Sequence, residues 1–120
     1  MIRVTSHALV KWMERRVGAD VEALRSAALE STRRALGADA PKAIGDADLV
    51  EFLETQHFDL EPMRQRIRDL AAPAVAAGCQ TLIFAEGVLV LEGAVVVTVL
   101  APGMRPRRRD LARPGGRICG

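Results

Sequence analysis

The sequence predicts an α+β fold: a short N-terminal strand, two duplicated helical hairpins, a three-stranded antiparallel meander and a basic disordered tail. Three observations carry this reading. Residues 6–37 and 46–78 repeat one helix–turn–helix pattern, residues 80–100 change to runs rich in Val, Leu and Ile, and residues 103–120 become rich in Pro, Gly and Arg. Residues 1–102 then form a single domain, an ordinary size for a chain of 120 residues. The hydrophobic fraction of 49% is too high for a disordered chain.

The repeat is visible residue by residue. Leu9-Val10-Lys11-Trp12-Met13-Glu14 matches Leu49-Val50-Glu51-Phe52-Leu53-Glu54, and Asp20-Val21-Glu22-Ala23-Leu24-Arg25 matches Asp59-Leu60-Glu61-Pro62-Met63-Arg64 after one single-residue gap. Two copies are too few for a solenoid, so they read as two hairpins of one domain. In the first copy Ser6 is the expected N-cap, Leu9, Trp12, Met13 and Val17 recur at helical spacing, and Gly18 breaks the helix. Asp20 caps the next helix, which Gly37 stops. In the second copy Asp46 is the expected cap, Asp59 caps the last helix, and Pro62 sits in its first turn, where a missing N–H is tolerated. Pro73 is expected to kink or shorten that helix unless Gly78 ends it.

Thr81–Ala85, Val88–Leu91 and Val95–Leu100 are the three strands, separated by tight turns at Glu86-Gly87 and Glu92-Gly93. Ile2-Arg3-Val4-Thr5 adds a short strand. The meander is apolar on both faces. One face packs on the helices; the other needs cover from the second hairpin or from a partner chain, which makes a homodimer through the apolar sheet an expectation.

The net charge of +2 hides an asymmetry. Residues 101–120 hold six arginines against one aspartate, or +5, whereas residues 1–100 hold 11 basic and 14 acidic groups, or −3. The N-terminus has no signal-peptide core and no apolar run is long enough to span a membrane, so a cytoplasmic protein without membrane contact is expected. Cys79 and Cys119 form no CxxC motif, which suits a reducing compartment, with Cys79 buried and Cys119 on the tail.

For chemistry, His7 stands first. It lies at the start of the first helix, with Lys11 and Glu14 or Arg15 along the same face. A histidine beside a cation can move a proton near neutral pH while the cation holds a phosphate. Cleavage of a phosphodiester by its neighbouring 2′-hydroxyl needs such groups and no metal. His57 has no second His or Cys at ligand spacing, so no metal site is expected, and no phosphate loop or nucleophile elbow is present, so no cofactor is expected. The second candidate is the tail, where Arg105, Arg107, Arg108 and Arg109 leave the last strand directly and can bind phosphate without sequence preference.

Thr5-Ser6-His7-Ala8, then Glu14-Arg15, a helical hairpin, and a meander closing on Val97-Thr98-Val99 resemble small relatives of the RelE-type toxins, in the barnase–EndoU–colicin–RelE group of metal-independent ribonucleases. The resemblance covers residues 2–34 and 80–100, with the second hairpin as an inserted duplicate. It implies an RNA-binding or RNA-cleaving accessory protein, with His7, Lys11 and Arg15 as site residues and basic groups such as Arg105 near the end of the sheet. The alternative is a non-enzymatic phage or mobile-element protein acting by protein–protein contact, as an inhibitor, a virion component or an antitoxin-like partner. It is favoured by strands whose only charged residues are Glu86 and Glu92, where RelE-like sheets present basic or aromatic side chains.

Overall fold

Entry into the helices is set by Thr5. In the computed structural model, which describes residues 1–107, 111 and 116–120, strand β1 (Arg3–Val4) leads into helix α1 (Ser6–Trp12). Thr5 Oγ1 accepts from the Ala8 amide at 3.0 Å and donates to the Val97 carbonyl at 3.1 Å. The cap is therefore Thr5, not Ser6, because one hydroxyl at that position serves both the helix start and the sheet. The chain then widens into a π-helical turn, Met13–Val17, ended by Gly18 at φ 78°, a left-handed conformation that glycine adopts without a Cβ penalty.

Helix α2 (Val21–Leu36) is capped by Asp20, whose carboxylate accepts from the Ala23 amide at 3.1 Å. Helix α3 (Asp46–Thr55) begins after Gly45, and Asp46 is its first residue rather than its cap. Helix α4 (Glu61–Ala76) has Pro62 in its first turn, and Asp59 accepts from the Glu61 amide at 3.1 Å. Pro73 does not end α4. It falls in the last turn, and the Pro73 carbonyl still accepts from the Ala77 amide at 3.0 Å, so the helix closes one turn later.

The sheet has five strands in the order β1-β4-β3-β2-β5. Its centre is the antiparallel meander β2 (Thr81–Phe84), β3 (Gly87–Glu92) and β4 (Val95–Leu100), with β1 added parallel to β4. The turns fall at Ala85-Glu86 and Gly93-Ala94, one residue off the expected positions. Gly87 belongs to β3, where a Cβ would come within 2.6 Å of the Leu100 carbonyl oxygen.

One face of the sheet presents Leu89, Leu91, Val96 and Val99 to the helices, where they join Leu9, Trp12, Leu49 and Ile67 in the main core. Trp12 stacks on Phe84 with ring centroids 6.4 Å apart and planes 12° from parallel. Its repeat counterpart, Phe52, is only half-buried.

The other face carries Val88, Val90 and Leu100, all buried, with Val97 and Leu111 packed against them. The chain's own C-terminal segment thus supplies part of the cover that the sequence had assigned to the second hairpin or a partner. Its end is a strand, not a disordered tail: β5 (Ile118–Cys119) runs parallel to β2. The physical reason is the open edge of β2, whose Gln80 and Thr81 amides donate to the Arg117 carbonyl at 2.7 and 3.2 Å. The cysteines are likewise not independent thiols. Cys79 and Cys119 are joined as a disulfide, with Cα atoms 6.0 Å apart. Among the described residues, no helix is long and apolar enough to cross a membrane.

Trp12 is 4% exposed at the junction of α1 and the sheet, so Trp12→Ala should destabilise the domain by about 3–5 kcal/mol, read by denaturant unfolding. A loss below about 1 kcal/mol would contradict this core. His57 sits in the α3–α4 turn at φ 66°, and His57→Gly should raise stability by about 1 kcal/mol by removing the left-handed penalty.

Candidate active site at the edge of the sheet

Strand β1 is two residues long and pairs with Val95 and Val96, so among the described residues the second half of β4 has no strand beside it on that edge. Helix α1 and its π-turn fill the place. Beyond Val96, the Val97 carbonyl accepts from the Thr5 hydroxyl, and the Val99 carbonyl accepts from Arg15 Nη1 at 2.7 Å. The wide turn at Met13–Val17 rotates each residue less than an α-turn does, which brings Arg15 towards the stripe begun by His7 and Lys11.

A cleft of about 280 Å³ opens there, and His7, Lys11 and Arg15 line it together with Thr98, Leu100 and Met104. Arg105 and Arg107 close it from the C-terminal segment. Five of the residues singled out from the sequence therefore share one cleft. Arg108 and Arg109 lie outside the described residues. His57 is in the α3–α4 turn and takes no part in the lining.

The cations differ in how far they are neutralised. Lys11 Nζ is 3.5 Å from Glu14, one turn along the helix. Arg15 donates to a neutral carbonyl and makes no ion pair among the described residues. Arg105 makes no ion pair among the described residues. The cleft is therefore electropositive, with one histidine at its rim.

That histidine is held by a carboxylate 39 residues away. His7 Nδ1 lies 2.7 Å from Asp46 Oδ2, and Asp46 Oδ1 accepts from Arg25, which also donates to the Ile44 carbonyl at 2.8 Å. Burial by itself would raise the Asp46 carboxyl, but hydrogen bonds from Arg25 and His7, helped by their charges, outweigh it and hold its pKa below the ordinary 3.8. An ionised Asp46 favours the proton on Nδ1 and leaves Nε2 as the nitrogen with a lone pair. Asp46 also joins the hairpins, since α1 and α2 belong to the first copy and α3 to the second.

Sequence reasoning missed Asp46 and Arg25 in this role. The repeat aligns Asp46 with Ser6, next to His7, but one sequence holds no signal that the two helix starts meet. On the second hairpin the acidic residues pair locally. Glu54 pairs with Arg64 at 2.6 Å, and Glu61 pairs with Arg68 at 2.6 Å.

The lowered Asp46 pKa carries a sign for stability. A carboxyl whose native pKa is depressed contributes stability above its unfolded pKa, near 3.8, and loses it as pH falls through the lower native value. Wild type should therefore exceed Asp46→Asn in stability at pH 6–7, and the two unfolding curves should converge as the pH drops below about 4. A gap independent of pH would contradict the assignment.

Compared with known proteins, the chain matches no family model, no curated protein and no solved structure.

Proposed function

We propose that the chain is an RNA-binding protein that cleaves RNA without a metal, in the manner of the RelE-like ribonucleases, at the cleft beneath His7. The observation that carries this reading is the His7–Asp46 pair set at the rim of a cleft lined by Lys11, Arg15, Arg105 and Arg107. A phosphodiester needs positive charge for its non-bridging oxygens and a base for the attacking hydroxyl, and this cleft offers both.

In the proposed reaction His7 Nε2 takes the proton from a ribose 2′-hydroxyl. The 2′-oxygen bonds to phosphorus, the bond to the 5′-oxygen breaks, and the leaving oxygen takes a proton from water. The products are a 2′,3′-cyclic phosphate and a 5′-hydroxyl. Asp46 stabilises the imidazolium formed on His7, and Arg25 keeps Asp46 ionised and oriented. Arg15 and Lys11 face the phosphate, with Arg15 fixed by its bond to the Val99 carbonyl so that little side-chain freedom is lost on binding.

A second reading, a non-enzymatic contact protein, is favoured by a groove of about 360 Å³ between α2 and α3. Its lining includes the apolar Ile44, Leu36 and Phe52 and the acidic Asp48 and Glu51.

The two readings part on incubation of an end-labelled RNA oligonucleotide with the pure protein in EDTA. The enzyme reading expects cleavage to a cyclic-phosphate end. It also expects His7→Ala to slow cleavage by about 10²–10⁴-fold with binding nearly intact, and Lys11→Ala to weaken both. RNA left whole by wild type at every pH from 5 to 9 would decide for the contact protein.

A further inference from the structure

We propose that the Cys79–Cys119 disulfide is a redox latch that holds the C-terminal segment across the sheet and so keeps Arg105 and Arg107 at the cleft. The bond closes a loop with a sequence separation of 40, and both arginines lie inside that loop. One end of it is anchored in the fold. Cys79 is buried behind α4, and its amide donates to the Ala74 carbonyl at 2.9 Å. The other end is held by a short strand as well as the disulfide. Strand β5 is two residues long, a length with no independent stability, and Ile118 is 63% exposed. Among the described residues its attachments include the Arg117 carbonyl on the Gln80 and Thr81 amides, the Arg117 guanidinium on the Ala77 carbonyl at 2.9 Å, and the close packing of Gly116 on the Gln80 side chain.

Between these ends the segment touches both the sheet and the cleft. Leu111 packs on Val88, Val90 and Leu100, and Leu100 also lines the cleft. The Met104 amide donates to the Ala101 carbonyl at 3.1 Å, closing the turn that carries Arg105 to the cleft. Once the far end is free, the conformational entropy of the whole segment works against its docking on the sheet.

The switch is thiol–disulfide exchange with a dithiol. One thiolate of the dithiol attacks a sulfur of the Cys79–Cys119 bond and forms a mixed disulfide. The second thiol of the dithiol then displaces the protein sulfur. The protein gains two electrons and two protons as two thiols, and the dithiol becomes a disulfide. In the reduced form β5 leaves β2, the outer face of the sheet is uncovered, and the two arginines are no longer held at the cleft.

The test compares the full chain oxidised and after treatment with dithiothreitol, alongside the Cys79→Ser/Cys119→Ser variant. Thiol titration should find none before reduction and two after it. Amide exchange of Gln80 and Thr81, which report β5, and of Met104, which reports the arginine-bearing turn, should speed up at least tenfold on reduction. The melting temperature should fall by roughly 10 °C. The variant should resemble the reduced form and ignore the reductant. Equal exchange at these three amides in both forms overturns the latch, as does a thiol count of two before reduction. The effect on nucleic acid rests on the function proposed above and is read separately, as anisotropy of a fluorescein-labelled single-stranded RNA. Oxidised protein should bind about tenfold more tightly than reduced. Faster exchange with unchanged RNA affinity would refute control of the cleft. If the oxidised protein binds no RNA at all, the function proposed above fails, and the latch is judged by the exchange data alone.

Discussion

The arrangement turns on Asp46, a carboxylate shared between two partners. It is drawn partly out of water at the first residue of α3, where its desolvation is offset only because Arg25 and His7 each take one of its oxygens. Removing either partner would leave a partly buried charge under-bonded. The same contact ties α3 of the second hairpin to α1 and α2 of the first, so the docking of the hairpins and the orientation of the histidine depend on one group.

The sheet adds the second constraint. Because β1 stops after Val4, the carbonyls of Val97 and Val99 need donors from somewhere other than a strand. Thr5 and Arg15 provide them, and in doing so they pin both ends of α1 and its π-turn along the β4 edge. The edge left open by the short strand thus becomes the cleft. Its electropositive character follows from using an arginine, rather than a neutral side chain, to satisfy a backbone carbonyl.

Local chemistry made much of this legible in the sequence. Helical spacing in Leu9, Trp12 and Met13, the stop at Gly18, the cap at Asp20 and the change of period after Gly78 each act within a few residues, and the structure follows them. So does the placing of His7 and Lys11 on one face of α1, which is a property of helix geometry alone. The π-turn that draws Arg15 inward is not a spacing rule and was not legible. Neither was the use of Asp46, because its pull towards Arg25 and His7 competes with N-capping and wins only once α1, α2 and α3 are packed together. The C-terminal segment misled for a related reason. Residues 103–120 have the composition of a disordered tail, but β2 offers an unpaired edge and Val88, Val90 and Leu100 an uncovered face, and both are tertiary facts.

The central claim is that Asp46 fixes the proton of His7 on Nδ1 and leaves the lone pair on Nε2. Long-range ¹H–¹⁵N NMR of the imidazole at alkaline pH, where a histidine ring is neutral, measures this directly. Wild type should show the Nδ1–H tautomer, and Asp46→Asn should lose that preference. An Nε2–H tautomer in wild type would contradict the account.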